Sequence, residues 1–300
     1  MSERLSYAFL VVSYNRPHTL PRLVQSLAEC DFVRQGFPVE LILLNNASTT
    51  DYKSAVKEVR EICQQAGIDF HYHHSDRNLG CAQGRNRLAE LASHDVLVFI
   101  DDDAAVCQKD FLTVLDSYFS SNPQRGILAY PAYEPQKNHI WVPHKRKAVR
   151  RRPYFHTYYF SGSAHALSRA LFQKVGGYSA FVTDRGEEYD LSYKVIDQGG
   201  EIYYTTDTFV LHYPGLEGRL PSPQVVLLQA VNRMNIAYAY LPWPYVLTQA
   251  VMWSLYLLAK TRRPDLLLKA WRRMGKGVPR RPLSKQALAY LRKVRARLWY

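Results

Sequence analysis

Asp101, Asp102 and Asp103 stand in a row directly after the apolar run Val-Leu-Val-Phe-Ile at 96–100. A strand buried on both faces reads as a short unbroken apolar run. Carboxylates just beyond it therefore lie at a carboxyl edge of an α/β sheet, where such folds bind ligands. Three adjacent carboxylates repel one another unless a cation or donors offset their charge, and hard ions such as Mg²⁺ or Mn²⁺ prefer oxygen ligands of this kind. On an extended segment Asp101 and Asp103 point to one side and Asp102 to the other. Taken alone the triplet also reads as a solvated acidic turn, because short motifs recur by chance. A second acidic segment, 184–190, opens a helical pattern, and 145–152 is a basic stretch, Lys-Arg-Lys-Ala-Val-Arg-Arg-Arg.

The elements that must position these residues alternate. Residues 8–12 read as a strand, 13–17 as a turn, and a helix follows to about Cys30. A second strand over 39–44 ends at Asn45-Asn46-Ala47-Ser48 and is followed by a helix over 52–66. A more polar strand at 70–74, the loop Asn78-Leu79-Gly80 and a helix over 83–92 lead to the strand that carries the aspartates. Such alternation builds βαβ units and a parallel sheet, and each strand delivers polar residues to one edge. Beyond Asp110 the pattern loosens: a helix over 111–119, a strand over 126–130, the segment 158–166, and a helix over 168–175 stopped by Gly176-Gly177. The helix opened by 184–190 ends at Gly199-Gly200, and 201–205 and 208–212 read as the last strands.

The 300 residues, 47% of them hydrophobic, suffice for a sizeable core and exclude a disordered chain. Net charge is +13, and it is concentrated: residues 260–300 hold 14 Lys and Arg against one acid, Asp265. A neutral body with a basic tail points to an anionic partner for the tail, either a membrane surface or a nucleic acid. Cys30, Cys63, Cys81 and Cys107 lack metal-ligand spacing and read as reduced thiols of a cytosolic protein. The apolar run 7–12 is too short for a signal peptide, so secretion is not expected. Residues 236–259 carry no charge, but Pro242 and Pro244 leave only 245–259 unbroken. That is short of the roughly 20 residues that span a bilayer, so an interfacial or buried helix is expected there. Over 264–275 and 284–300, Leu267, Leu268, Trp271 and Met274, then Leu288, Leu291, Val294 and Leu298, fall near helical spacing among Lys and Arg. The pattern fits helices lying in the headgroup layer of an anionic membrane, or else a packed pair with solvated lysines.

In chain order, Val11-Val12-Ser13-Tyr14-Asn15-Arg16, Leu44-Asn45-Asn46-Ala47-Ser48-Thr49, Asn78-Leu79-Gly80 with Gly84-Arg85-Asn86, the aspartate triplet, Gly176-Gly177-Tyr178, Gly186-Glu187-Glu188-Tyr189-Asp190-Leu191 and His212 follow one another. This ordered set resembles family 2 glycosyltransferases of the GT-A fold, over about residues 7–213; bacterial rhamnosyl- and galactofuranosyl-type surface-glycan transferases are nearest in pattern. The resemblance implies an α/β protein in which a Rossmann-like nucleotide-sugar half, about 1–103, joins an acceptor half, 104–213, around one mixed sheet. A helical, basic, membrane-associating extension over 214–300 would follow. The implied activity is inverting, metal-dependent transfer of a sugar from a nucleoside diphosphate (UDP, dTDP or GDP) to a hydroxyl of a lipid-linked or cell-surface glycan. The cofactor would be Mn²⁺ or Mg²⁺.

Carried onto this sequence, the resemblance assigns the metal to Asp101, Asp103 and His212, with Asp103 the first choice; His212 also reads as a structural histidine at a strand end. Ser13, Tyr14, Arg16, Asn45, Gly80, Arg85, Asp101 and Asp102 would bind the donor, and arginine suits phosphate geometry. Asn45 stands where the family commonly has an acid. Its amide oxygen can still accept from an imino N–H, so uracil, thymine and guanine all remain open. The family's Glu-Asp-x-Asp is here Glu187-Glu188-Tyr189-Asp190, which puts a glutamate at the position of the base that deprotonates the acceptor. Glu188 is the expected base and Asp190 an orienting or sugar-contacting group, though the departure leaves Glu187 and Asp190 open as bases. The cluster also reads as an acid-rich first turn of a helix. Residues 145–152 fall where the family binds acceptor, and either hold an anionic acceptor or its lipid diphosphate or form a solvated loop. The expected location is cytoplasmic, peripheral on the inner face of the membrane, and nucleic acid is not an expected partner. A non-catalytic adaptor on the same fold is a second reading. A phosphotransferase with Asp101 as nucleophile is a third, weakened by Ala105 at its Thr/Val position.

Overall fold

A computed structural model describes residues 4–182, 184–215 and 222–299. The first half runs β1 (Tyr7–Ser13), α1 (Leu20–Glu29), β2 (Val39–Asn45), α2 (Lys53–Ala66), β3 (Asp69–His74), α3 (Gly80–Leu91), β4 (Val96–Ile100), β5 (Ala104–Val106) and α4 (Phe111–Phe119). The second continues through β6 (Gly126–Ala129), β7 (Ala132–Glu134), β8 (His139–Trp141), α5 (Lys147–Arg150), β9 (Tyr154–Thr157), β10 (Ala164–Ser168), α6 (Arg169–Lys174), α7 (Glu187–Asp197), β11 (Glu201–Thr205) and β12 (Val210–His212). Four helices follow: α8 (Ser222–Tyr240), α9 (Trp243–Thr261), α10 (Pro264–Arg273) and α11 (Lys285–Lys293).

The expected mixed sheet has eight strands in the order β3-β2-β1-β4-β10-β6-β11-β9. Its first four are parallel, and β10 runs antiparallel between β4 and β6. Both faces are covered: Leu10, Ile42 and Leu44 pack into one core, while Phe9, Val11, Leu41 and Leu43 pack into another. That double burial is why these strands read as unbroken apolar runs. Register then aligns their ends, because Ser13 sits opposite Asn45, and the loops after β1, β2 and β4 converge on one edge.

A second sheet, β5-β12-β7-β8, is made of three-residue strands, too short to leave a periodic signal in the sequence. It pairs His212 with Ala104, and the Tyr213 N–H donates to the Asp103 carbonyl at 2.9 Å. The chain's distal histidine is thereby delivered to the aspartates.

The C-terminal helices pack in two ways: Ile236, Tyr240, Val246, Leu288 and Leu291 belong to the same buried cluster as Leu10 and Phe99, while Leu227, Met234, Ala250, Leu257, Leu266 and Ala270 of α8, α9 and α10 form a cluster of their own. The interfacial stripe expected over 284–300 is corrected here. Leu288, Leu291, Val294 and Leu298 are buried, and Tyr290 bridges the body, accepting from Ile202 N–H at 3.1 Å and donating to the Thr157 carbonyl at 3.0 Å. The helix itself ends at Lys293. Exposed apolar side chains gather instead on α9, at Trp243, Leu247, Val251, Met252, Leu255 and Leu258, and on α10, at Leu268 and Trp271. Among the described residues no helix is long and apolar enough to cross a membrane.

Candidate active site

At the end of β4 the three aspartates diverge. Asp102 is fully buried and its Oδ1 meets Arg16 Nη2 at 2.5 Å; burial pushes its carboxyl up to about 7, against the pull of Arg16. Asp103 shares the Arg16 guanidinium with Asp102, but Asp101 and Asp103 also approach His212, and the candidate ligand atoms of Asp101, Asp103 and His212 lie within 4.8 Å of one another. Each aspartate gives one oxygen to an arginine and keeps the other for this corner. Asp103 Oδ2 takes Arg16 Nη1 at 2.7 Å, leaving Oδ1 at 3.2 Å from His212 Nε2. Asp101 Oδ1 takes Arg85 Nη2 at 3.1 Å, leaving Oδ2 at 3.9 Å from the same imidazole nitrogen. Burial pulls the His212 pKa down, but its bond to Asp103 and the charges of Asp101, Asp103 and Glu134 outweigh that and raise it. Asp103 is pushed up by burial and held below the usual carboxylate range by His212 and Arg16.

These residues fit a divalent cation. Asp103 Oδ1 is buried and faces no donor other than the His212 imidazole, which a cation would displace to a shared ligand, and two carboxylates plus an imidazole suit Mn²⁺ or Mg²⁺.

The corner opens into a cavity of about 550 Å³ whose walls include Tyr14, Arg16, Asn46, Gly80, Arg85, Trp141, Glu187 and Glu188, a volume that suits a small-molecule ligand. Three residues expected at the donor do not line it. Asp102 is one; Ser13 Oγ bonds Tyr52 Oη at 2.7 Å. Asn45, 4% exposed, accepts from Ser48 N–H at 3.0 Å and donates to Tyr72 Oη at 3.0 Å, so its amide oxygen shapes the turn. The next residue, Asn46, lines the cavity instead, with Oδ1 accepting from Leu79 N–H at 2.9 Å.

Arg85 ties the two halves together. At 4% exposure, its guanidinium donates to Asp101 at 3.1 Å, the Gly162 carbonyl at 2.8 Å and Glu187 at 3.4 Å. A Cβ at Gly162 would lie 3.1 Å from Arg85 Nη2 and 3.2 Å from Glu188 Oε1, so the missing side chain is what lets strand, arginine and acid approach. Helix α7 starts at Gly186, whose φ of 96° is left-handed, and presents its acids in the first turn. Glu187 is buried and pushed up to about 8 by burial and then by the Glu188 charge. Glu188 reaches the cavity, and burial raises its carboxyl too.

Asp190, expected as an orienting or sugar-contacting group, does not line the cavity with them. It is 0% exposed, lies off the cavity, and accepts from Ser179 N–H at 2.7 Å, Ser179 Oγ at 2.8 Å and Tyr240 Oη at 2.5 Å. It fastens the loop after α6 to α7 and α8. Gly162, Trp141 and Glu134, by contrast, were not singled out from sequence; a glycine between Ser161 and Ser163 beside a strand signals close backbone approach.

The family model described as Glycosyl transferase family 2 matches residues 8–176. Human polypeptide N-acetylgalactosaminyltransferase 15 is 27% identical over 290 residues, covering 86% of this chain but 43% of that protein. An uncharacterised Haemophilus influenzae protein is 28% identical over 179 residues, 56% of this chain and 90% of its own length. Among solved structures, GalNAc-T7 with UDP, GalNAc and Mn²⁺ aligns with a TM-score of 0.67 at 16% identity over 98% of this chain and 57% of that one. The mannosyltransferase PcManGT from Pyrobaculum calidifontis, with GDP-Man and Mn²⁺, aligns at 0.58 and 19% identity over 100% of this chain and 82% of its own. At such identities the structural likeness speaks for the GT-A fold, while the sequence match extends over more than half of the chain. The protein belongs to glycosyl transferase family 2 and is a GT-A glycosyltransferase.

Proposed function

We propose that this enzyme transfers a sugar from a nucleoside diphosphate to a hydroxyl of a lipid-linked or cell-surface glycan, with inversion, and that residues 1–213 form its catalytic unit. The observation that carries the reading is the pair of free carboxylate oxygens on Asp101 and Asp103 facing His212, in the same cavity as Glu188. Asp101, Asp103 and His212 would hold Mn²⁺ or Mg²⁺, supplying a Lewis acid that offsets the charge of a departing diphosphate. Arg16 and Arg85 orient the two aspartates, Tyr14, Asn46 and Gly80 border the donor, and Glu188 takes the proton from the acceptor hydroxyl. GalNAc-T7 and PcManGT were solved with UDP and GDP-Man respectively, each with Mn²⁺, which supports a nucleotide-sugar donor here.

Turnover of a panel of UDP-, dTDP- and GDP-sugars, with Mn²⁺, Mg²⁺ or EDTA, tests the reading. Hydrolysis of one donor should require the cation and fall at least about a hundredfold in Asp103→Ala. Equal turnover in EDTA and in that variant would sink it.

The acceptor reading implies a membrane address, and α9 supports one. Its exposed apolar face, from Trp243 at 54% to Leu247 at 62% and Leu255 at 55%, adjoins the cations Lys260, Arg262 and Arg263. An apolar face edged by Trp and basic residues suits peripheral docking on an anionic membrane surface, and in a cell the inner face. Sedimentation with phosphatidylglycerol vesicles should fall sharply in Leu247→Glu/Leu255→Glu.

A further inference from the structure

We propose that His165 is a positioning residue for the reaction: its Nδ1–H ties the turn Ser161-Gly162-Ser163 to the body of the protein and so fixes the Gly162 carbonyl that Arg85 donates to. The consequence for Glu188 as base rests on the transfer reading above; the tie itself does not.

The turn forms one wall of the cavity, where Gly162 comes close to both Arg85 and Glu188. Within the turn, Ala164 N–H donates to the Ser161 carbonyl at 3.1 Å and the hydroxyls of Ser161 and Ser163 meet at 3.0 Å. Gly162 brings no side chain that could anchor it, yet its carbonyl takes the 2.8 Å bond from Arg85.

His165, on β10, supplies the anchor. It is fully buried, with its ring centre 4.9 Å from that of Phe99, the planes 12° from parallel, and 4.2 Å from that of Phe160. Nδ1 lies 3.1 Å from the Ser161 carbonyl oxygen, and Nε2 lies 3.1 Å from Tyr178 Oη. A carbonyl only accepts, so Nδ1 holds the proton; Nε2 then accepts, and the tyrosine hydroxyl donates. Burial, and then the Arg85 charge, hold the imidazole well below its usual pKa range, so it stays neutral. One tautomer therefore satisfies both partners. A phenyl ring would fill the same space and supply neither bond.

These bonds close on themselves. Tyr178 N–H donates to Asn86 Oδ1 at 2.8 Å, and Asn86 Nδ2 donates back to the Tyr178 carbonyl at 2.8 Å. Asn86 follows Arg85 on α3. The path from Arg85 through Gly162, Ser161, His165, Tyr178 and Asn86 thus returns to the helix where it began, joining α3, the start of β10 and the loop after α6. In a closed, satisfied network no member shifts without straining the others. His165 does not line the cavity, so it acts through Gly162 and Arg85 rather than on a substrate.

The test begins on the full chain without donor or metal, by nitrogen NMR. With isotope-labelled histidine, the signals missing from His165→Asn belong to His165, and they should show a protonated Nδ1 and a bare Nε2. With isotope-labelled arginine, the Arg85 Nη signals should be resolved in the wild type, because Asp101 and Gly162 slow their rotation. They should stay resolved in His165→Asn, whose amide puts a donor where Nδ1 was, and merge in His165→Phe, which keeps the packing and loses both bonds. Mn²⁺-dependent hydrolysis of the donor that the nucleotide-sugar panel identifies is then compared. In His165→Phe kcat should fall at least about tenfold with KM within about threefold, and His165→Asn should recover most of that loss. If circular dichroism shows that His165→Phe does not fold, His165→Gln takes its place, since its longer amide reaches toward Tyr178 and leaves the Ser161 carbonyl without this donor. The proposal is overturned if Nε2 carries the proton, if the Arg85 signals stay resolved in the folded variant that lacks the Ser161 bond, or if His165→Asn is no more active than that variant. The NMR measurements use no substrate, so they decide on the tie even if no donor is turned over, and their failure leaves the transfer reading standing.

Discussion

Arg85 and Glu187, 102 residues apart in the chain, meet at 3.4 Å inside the protein. The same guanidinium holds Asp101 at 3.1 Å, so a single buried arginine sets the distance between the metal corner at the end of β4 and the acids at the start of α7. A charge buried this deeply is tolerated because three acceptors surround it, and their geometry is correspondingly stiff. The consequences are measurable.

Glu188→Gln keeps the cavity's shape and removes the proposed base. Transfer to acceptor should fall about 10²–10⁴-fold while metal-dependent donor binding, read by calorimetry, stays within about threefold. Burial raises the Glu188 carboxyl, and the base form is the ionised one. The acidic limb of kcat/KM should therefore lie above the usual glutamate range, with activity rising as pH increases through it. A limb at the ordinary glutamate value would contradict the assignment.

Glu187 titrates in the opposite sense for stability. Its carboxyl is pushed up to about 8 in the folded chain, so above the ordinary glutamate pKa the folded state holds a proton that the unfolded state has lost. Stability on this account falls from about pH 4.5 to about pH 8 and is level beyond. Between pH 5 and pH 8.5 the wild type should lose several degrees more in Tm than Glu187→Gln, about 5 °C in thermal melts. Parallel curves for the two proteins would refute it.

Gly162→Ala tests the close approach. The added methyl would sit 3.1 Å from Arg85 Nη2, a nitrogen already bonded to Asp101 and the Gly162 carbonyl, so Arg85 and Glu188 must shift by a few tenths of an ångström. Such a displacement at a reacting centre should lower kcat about tenfold or more, with Tm changed by only a few degrees. An unaltered kcat would show that the cage is slack.

Asp190→Ala separates fastening from chemistry. The Ser179 N–H and the Ser179 and Tyr240 hydroxyls would lose their acceptor, the two hydroxyls keeping only each other at 3.2 Å, at a cost of about 2–3 kcal/mol and a clear fall in Tm. At a temperature where the variant remains folded, transfer should persist within about tenfold of wild type, far above Glu188→Gln. Loss of activity equal to that of Glu188→Gln in a folded protein would return Asp190 to the reacting centre.

By itself the sequence determined the alternation of β1 to β4 with their helices, the place of Asp101 to Asp103 at a sheet edge, and the family. Apolar runs, turn residues and an ordered motif are local, and local signals survive in a string of letters. What a polar side chain bonds to is settled by segments far away in the chain, and only the tertiary structure decided it. Asn45 looked free to read a base until the Ser48 N–H claimed its oxygen. Asp190 looked as available as Glu188 until Ser179 and Tyr240 enclosed it. The apolar stripe of α11 looked interfacial until the main core covered it and left α9 exposed instead. His212, legible as a motif member, reaches Asp103 through a three-residue strand pairing with Ala104, a contact between distant segments that no periodicity announces. Burial is a property of the whole fold, and it divided the candidate acids into those that line the cavity, Asp101, Asp103, Glu187 and Glu188, and those enclosed away from it, Asp102 and Asp190.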